Sequence, residues 1–161
     1  MSVTIREATK HDVPLILTFI RELATYEKLA HEVTATEAGL EATLFGDRPY
    51  AEVVIAELDG APAGFALFFH NYSTFLGKPG IYLEDLFVKP EARRHGVGRA
   101  LLAHLAALAV ERDCGRLEWA VLDWNRPAIA FYESLGAQAM SAWTVYRLSG
   151  ETLRRASARN R

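Results

Sequence analysis

The stretch GIYLEDLFVKPEARRHGVGRALLAHLAALAVERDCGRLEWAVL (80–122) limits the possible folds more than any other part of the chain. Residues 80–88 are almost wholly apolar and stop at Lys89-Pro90, which reads as a strand. Val97, Leu101, Leu105 and Leu108 then recur at helical spacing, and Gly115 is placed to cap that helix near Asp113-Cys114. RLEWAVL returns to a strand pattern. Strand, helix and strand in this order have the makings of a βαβ unit.

The flanking segments extend this into a mixed α/β sheet. VTIREA (3–8) alternates as a strand. Val13, Ile16, Ile20 and Leu23 predict an amphipathic helix over 12–27, with Pro14 in its first turn. A shorter helix is expected at 36–45 behind a Thr36 cap. AEVVIAEL and PAGFALFFHNY flank Asp59-Gly60 and read as an antiparallel hairpin. RPAIAFYESLG predicts a short helix closed by Gly136, and AWTVYRLS a last strand. The expected order is βααβββαβαβ, as one domain over 1–150 followed by a solvated, arginine-rich tail at 151–161.

Bulk properties exclude several classes. At 161 residues the chain can bury a real core. A formal charge of -2 offers no electrostatic reason to bind nucleic acid or an anionic membrane. The single cysteine, Cys114, cannot make an internal disulfide and suits a reducing, cytoplasmic setting. The opening MSVTIREATKHDV carries charges where a signal peptide would be apolar, and the apolar runs are too short to span a bilayer. The five histidines show no metal-ligand spacing, so no metal is expected.

EARRHGVGRA (91–100) sets glycines and arginines where a strand hands over to a helix, which is a geometry for binding phosphate. Arg99-Ala100 cannot supply the Lys-Ser/Thr of a P-loop, and Leu101 stands where the dinucleotide pattern needs glycine. What is present is R-x-x-G-x-G, from Arg93, Gly96 and Gly98. This resembles the acyl-CoA pyrophosphate loop of the GNAT acetyltransferases. RELATYEKL, IYLEDLFV, RRHGVG and AVLDWNRPAIAFYESLGA follow in the order of the diamine acetyltransferase branch. That branch includes the spermidine/spermine and thialysine Nε-acetyltransferases; YST (72–74) and AVLDWN (120–125) resemble the thialysine type more closely.

The resemblance implies a mostly antiparallel central sheet flanked by helices, a homodimer, and acetyl-CoA as co-substrate. It makes Glu84 the group that helps remove the amine proton, through water, and Tyr132 the general acid near the CoA sulfur. Leu86, Phe87 and Val88 would pair with the pantetheine arm and donate to the thioester oxygen. Arg93, Arg94, His95, Gly96, Val97, Gly98 and Arg99 would surround the pyrophosphate, with Asn125 and Ala128 near the arm. Tyr26, Glu27, Glu84, Asp85, Glu118 and Trp119 would receive the amine. In a regular strand Glu84 and Asp85 point to opposite faces. Asn125 also reads as an ordinary helix cap, and Cys114 matches no catalytic position.

Two departures bear on the substrate. Ser73 stands where the polyamine enzymes have an acidic residue, and SAW (141–143) lacks the glutamates that precede the matching tryptophan. Fewer negative charges favour a lysine-like amine or a diamine over spermine, acetylated by direct transfer. A protein lysine or N-terminal acetyltransferase is the alternative. A non-catalytic CoA-binding module is a third reading, against which the presence of both Glu84 and Tyr132 stands.

Overall fold

A computed structural model of the chain describes residues 1–158, so the last three positions of the expected tail lie outside it. The chain divides into two compact units, Met1–Leu122 and Asp123–Arg161.

The first unit is built on a five-stranded sheet in the order β1-β2-β3-β4-β5. β1 (Val3–Glu7), β2 (Glu52–Leu58), β3 (Ala61–Ser73) and β4 (Lys78–Val88) are antiparallel neighbours, and β5 (Leu117–Trp119) joins β4 in parallel. The β2–β3 hairpin turns at Asp59 and Gly60, both left-handed (φ 52° and 85°), which suits the twist of two antiparallel strands. α1 (Val13–Tyr26) follows a 3-10 turn (Lys10–Asp12) that starts at a Thr9 capping box and is tied to β1 by a two-pronged Arg6–Asp12 pair. α2 (Glu37–Leu44) is capped by Thr36, and α3 (Val97–Glu111) is the crossover helix between β4 and β5.

The helices cover opposite faces of the sheet. Ile16, Phe19 and Leu23 of α1 pack with Val53, Ile55, Phe65 and Phe87. Phe19 is fully buried, its ring 5.4 Å from that of Phe65 and 6.0 Å from that of Phe87. Val97, Leu101, Leu102, Leu105 and Ala109 form the buried stripe of α3. α3 leaves its helical path at Asp113, which takes the left-handed position (φ 56°) that was expected of Gly115.

In the second unit α4 (Arg126–Ser134) is followed by Gly136 in left-handed backbone (φ 88°). The strand expected from AWTVYRLS is absent: residues 137–149 have no regular structure. Trp143, Val145 and Tyr146 are 78%, 85% and 92% exposed. The alternation is real, but a strand exists only against a ladder partner, and none is formed among the described residues. Part of the expected tail is helical instead, as α5 (Gly150–Ala158), with an exposed Glu151–Arg154 pair one turn apart.

Candidate active site

The β3–β4 ladder contains a bulge that organises the acidic residues. Leu67 pairs with Asp85 and Phe68 with Leu83, leaving Glu84 as the extra residue. Residues opposite each other in an antiparallel pair share a face. Phe87, opposite Phe65, and Asp85, opposite Leu67, therefore lie on the α1 face. Leu83 lies opposite Phe68 on the other face, although an unbroken strand would put it with Asp85. Tyr82, Glu84 and Asp85 thus come to one side of the sheet. The expectation that Glu84 and Asp85 point apart fails because the bulge breaks the two-residue period between them.

Glu27, just past α1, and Glu118 of β5, in register with Tyr82, complete the cluster. Its electrostatics centre on Glu84. Burial, with the charges of Glu84 and Glu27 added, pushes the Asp85 carboxyl up to about 6. Burial and then Glu84 raise Glu27. Burial followed by Glu84 and Glu118 raises the Tyr82 phenol. Each shift reports carboxylates crowded where water is scarce, an arrangement that a cation relieves. The Asn71 amide donates to Glu118 Oε1 at 3.2 Å and holds it in place.

The same bulge ends the β4–β5 ladder. Register runs Ile81–Leu117, Tyr82–Glu118, Leu83–Trp119 and goes no further, so the strand expected over 116–122 is cut to three residues. Beyond Leu83, the β4 edge that β5 covers earlier has no ladder partner among the described residues. Leu86, Phe87 and Val88 lie on this part of β4.

After β4 a short 3-10 turn (Pro90–Ala92) leads into the glycine loop. Arg94 and Gly96 are left-handed (φ 68° and 80°), a backbone form that gathers successive N–H groups into a concave nest. α3 begins at Gly96 with no side-chain cap among the described residues, whereas Thr36 and Asn125 cap α2 and α4. Glycine at the cap position brings no side-chain oxygen to the first turn of the helix. A side chain at position 98 would meet only Val88 Cγ2, at 3.8 Å, so the chain's own packing does not require glycine there. An open nest, an uncapped helix start and a glycine with no internal steric reason fit a bound pyrophosphate.

Arg93 is placed differently. Its Nε donates to the Val88 carbonyl at 3.1 Å. Its guanidinium lies over the rings of Tyr26 (5.2 Å) and Phe87 (5.9 Å). It borders a cavity of about 600 Å³ with Arg21, Glu22, Thr25, Tyr26, Phe87, Pro90 and Glu91. The sequence reading missed Tyr82, Arg21, Glu22 and Glu91. Tyr82 carried a signal, two residues from Glu84 in a strand; the α1 residues looked like any solvated helix face. Ser73 is buried and accepts from the Leu76 N–H at 3.2 Å, so its hydroxyl shapes the β3–β4 turn.

In the second unit, Asn125 is buried and its Oδ1 accepts from the Ala128 N–H at 3.4 Å, a weak cap. Tyr132 is half-buried on α4 with its ring 5.7 Å from Phe131. Cys114 is a free thiol whose N–H donates to Ala109 at the end of α3. Among the described residues no group of three His, Cys, Asp or Glu could hold a metal ion, and no helix is long and apolar enough to cross a membrane.

The profile of the Acetyltransferase (GNAT) family matches residues 18–137. The chain is 41% identical to a thialysine N-epsilon-acetyltransferase of Bos taurus, over 94% of its own length and 95% of that protein's. It is 37% identical to the L-ornithine N5-acetyltransferase NATA1 of Arabidopsis thaliana, over 92% and 85%. An integron cassette protein from the mobile metagenome of V. cholerae superposes with a TM-score of 0.81 at 31% identity, covering 98% of this chain and 99% of that one. With a family profile spanning most of its length and such relatives nearly end to end, the chain belongs to the GNAT family of acetyltransferases.

Proposed function

We propose that this acetyltransferase moves an acetyl group from acetyl-CoA directly to the primary amine of a small lysine-like molecule. The observation that carries the reading is the set of four carboxylates, Glu27, Glu84, Asp85 and Glu118, around a bulge at the point where β4 parts from β5. A lysine-like amine is about 1 part in 2,500 neutral at pH 7, a deficit of roughly 4.6 kcal/mol. The carboxylates draw in the ammonium form, and Glu84 takes a proton from it through water, which frees the nitrogen lone pair that then attacks. The edge of 86–88 turned away from β3 binds the pantetheine arm and gives an N–H to the thioester oxygen, where negative charge develops. Gly96, Val97 and Gly98 offer backbone N–H groups to the pyrophosphate, with Arg94, His95 and Arg99 around it. Asn125 and Ala128 contact the arm. Tyr132 returns a proton to the departing thiolate, which a neutral phenol of pKa about 10 can do for a thiol of about 8.5. Tyr26 and Trp119 line the amine's approach.

The names of the two relatives support an amino-acid amine over a polyamine. The reading includes a homodimer in the cytoplasm. The exposed Trp143, Val145 and Tyr146 supply surface for a second copy, and a single free thiol suits a reducing compartment. The test is thiol release from acetyl-CoA with a panel of amines, comparing the native chain with Tyr132→Phe. Release that depends on a lysine-like amine and falls at least about tenfold in the variant is expected. A rate that Tyr132→Phe leaves unchanged removes the general acid, and turnover favouring spermine over every lysine-like amine overturns the substrate class.

A further inference from the structure

We infer that Asn71 is a positioning residue for the amine site: its amide crosses β4 through the gap left by Gly80 and holds the Glu118 carboxylate on the face that carries Glu84 and Asp85. The inference rests on the amine-acetylation reading above and adds to it the group that orients one of its carboxylates.

Glu118 is the member of the acidic set that the fold secures least. Glu84 and Asp85 sit in the long β4 strand, whereas Glu118 lies in a strand of three residues whose ladder ends at Trp119. Beyond burial, Asp85 is raised by Glu84 and Glu27, and Tyr82 by Glu84 and Glu118. Glu118 therefore stands on the outer side of Tyr82, away from the bulge. A half-buried glutamate there keeps water within reach and its side-chain bonds free to rotate, so a specific partner has to hold it on the amine side. Its partner is Asn71 Nδ2, which donates to Oε1 at 3.2 Å.

That partner comes from two strands away. Asn71 belongs to β3 and pairs with Gly80 of β4, while Glu118 belongs to β5 on the far side of β4. Strands next but one to each other lie roughly 10 Å apart. Two side chains close that distance only across a residue that puts nothing between them, and Gly80 is that residue. It is buried and extended, not left-handed, so its backbone does not call for glycine. A Cβ there would overlap Asn71 Oδ1 and come within 3.3 Å of the Arg116 carbonyl. Glycine inside a strand forfeits packing, and here it opens the path of the Asn71 amide.

The neighbouring residues make the amide conspicuous. Phe65, Leu67 and Phe69 precede Asn71 at two-residue spacing on one face of β3. The Phe69 ring packs on that of Tyr82, centroids 5.4 Å apart, next to the Asn71–Gly80 pair. Asn71 ends this apolar row and directs its donor at a carboxylate.

The test is a double-mutant cycle on amine KM. Asn71→Leu should raise KM for lysine about three- to tenfold, less than the full worth of a hydrogen bond to a charged group because Glu118 itself remains. KM for acetyl-CoA should stay within about twofold. Glu118→Gln should raise the lysine KM at least as much. Adding Asn71→Leu to it should bring no further rise, since the carboxylate to be oriented is gone. Gly80→Ala leaves both partners in place and closes the path between them, so it should copy Asn71→Leu. Should it not fold, the Asn71 and Glu118 variants decide. Effects of the two substitutions that multiply, or KM values for lysine and acetyl-CoA that rise together, would make Asn71 a mere tie of the sheet and overturn the inference. If the native chain acetylates no amine, the proposed function fails by itself, and calorimetric titration with lysine replaces the kinetics. Lysine binding that Asn71→Leu weakens in the native chain but not in Glu118→Gln supports the inference. Equal weakening in both, or no lysine binding at all, overturns it.

Discussion

Leu67 stands opposite Asp85 across the β3–β4 ladder, one residue beyond the partner that the Phe68–Leu83 pair would give it in an unbroken strand. That single extra residue, Glu84, turns Asp85 onto the α1 face and coincides with the end of the β4–β5 ladder. One irregularity thus gathers the carboxylates and opens a strand edge beside them. The proposed chemistry needs both, an acidic pocket for the amine and free backbone for the thioester.

Asp85→Asn should stabilise the fold at neutral pH while weakening catalysis. The Asp85 carboxyl rises from its ordinary 3.8 to about 6 in the native state. A raised acid favours folding fully below pH 3.8 and loses that contribution as pH climbs through about 6. The asparagine variant, having no charge to bury, should be more stable on the order of 1–3 kcal/mol at pH 8, with the advantage shrinking by pH 5. Denaturant melts at the two pH values check this; an equal or larger advantage at pH 5 contradicts it.

Glu84→Gln removes the charge common to the shifts of Asp85, Glu27 and Tyr82. As the proton acceptor it should lower kcat by about 10²–10⁴, and the loss should lessen toward high pH, where more amine is already neutral. A change confined to KM would instead make Glu84 a binding charge only. Steady-state kinetics from pH 6 to 10 separate the two.

Gly98→Ala should leave stability nearly untouched, since the added methyl meets only Val88 Cγ2 at ordinary contact distance. Its effect should fall on acetyl-CoA, whose KM is expected to rise at least about tenfold if the pyrophosphate sits against that backbone. Gly96→Ala differs, because left-handed backbone at φ 80° strains any side chain. It should cost about 1–2 kcal/mol of stability as well. Thermal melts and CoA titration together distinguish the pair.

Phe19→Ala empties the centre of the α1 face, where the ring packs between Phe65 and Phe87. A loss of about 3–5 kcal/mol is expected, the range for truncating a buried aromatic. Denaturant or thermal melts of the native chain and the variant check this; a loss well under about 3 kcal/mol contradicts it.

Most elements were legible because their signals are local. Thr36 caps α2, Pro14 sits in the first turn of α1, and Asp59-Gly60 turns the β2–β3 hairpin, each within a few residues of its cause. The R-x-x-G-x-G spacing placed the nest at the start of α3 for the same reason. The site itself was legible in composition more than in geometry. Glu84 and Asp85 stood out in an apolar strand, yet their faces could not be assigned without Leu67 and Phe68 on the neighbouring strand. Arg93 was legible as part of the loop motif, whereas the stacking of its guanidinium on Tyr26, distant in sequence, was not.

The sequence by itself determined the βαβ unit of β4, α3 and β5, the caps and turns, and the residue types that acyl transfer to an amine requires. These follow from periodicity and backbone preference, which act over a few residues. Only the tertiary structure decided the bulge at Glu84, the early end of β5, the unpaired run through Trp143 and Tyr146, and the side on which Arg93 lies. Each depends on a partner strand or ring far along the chain, and strand register is an energy of pairing that no single segment contains.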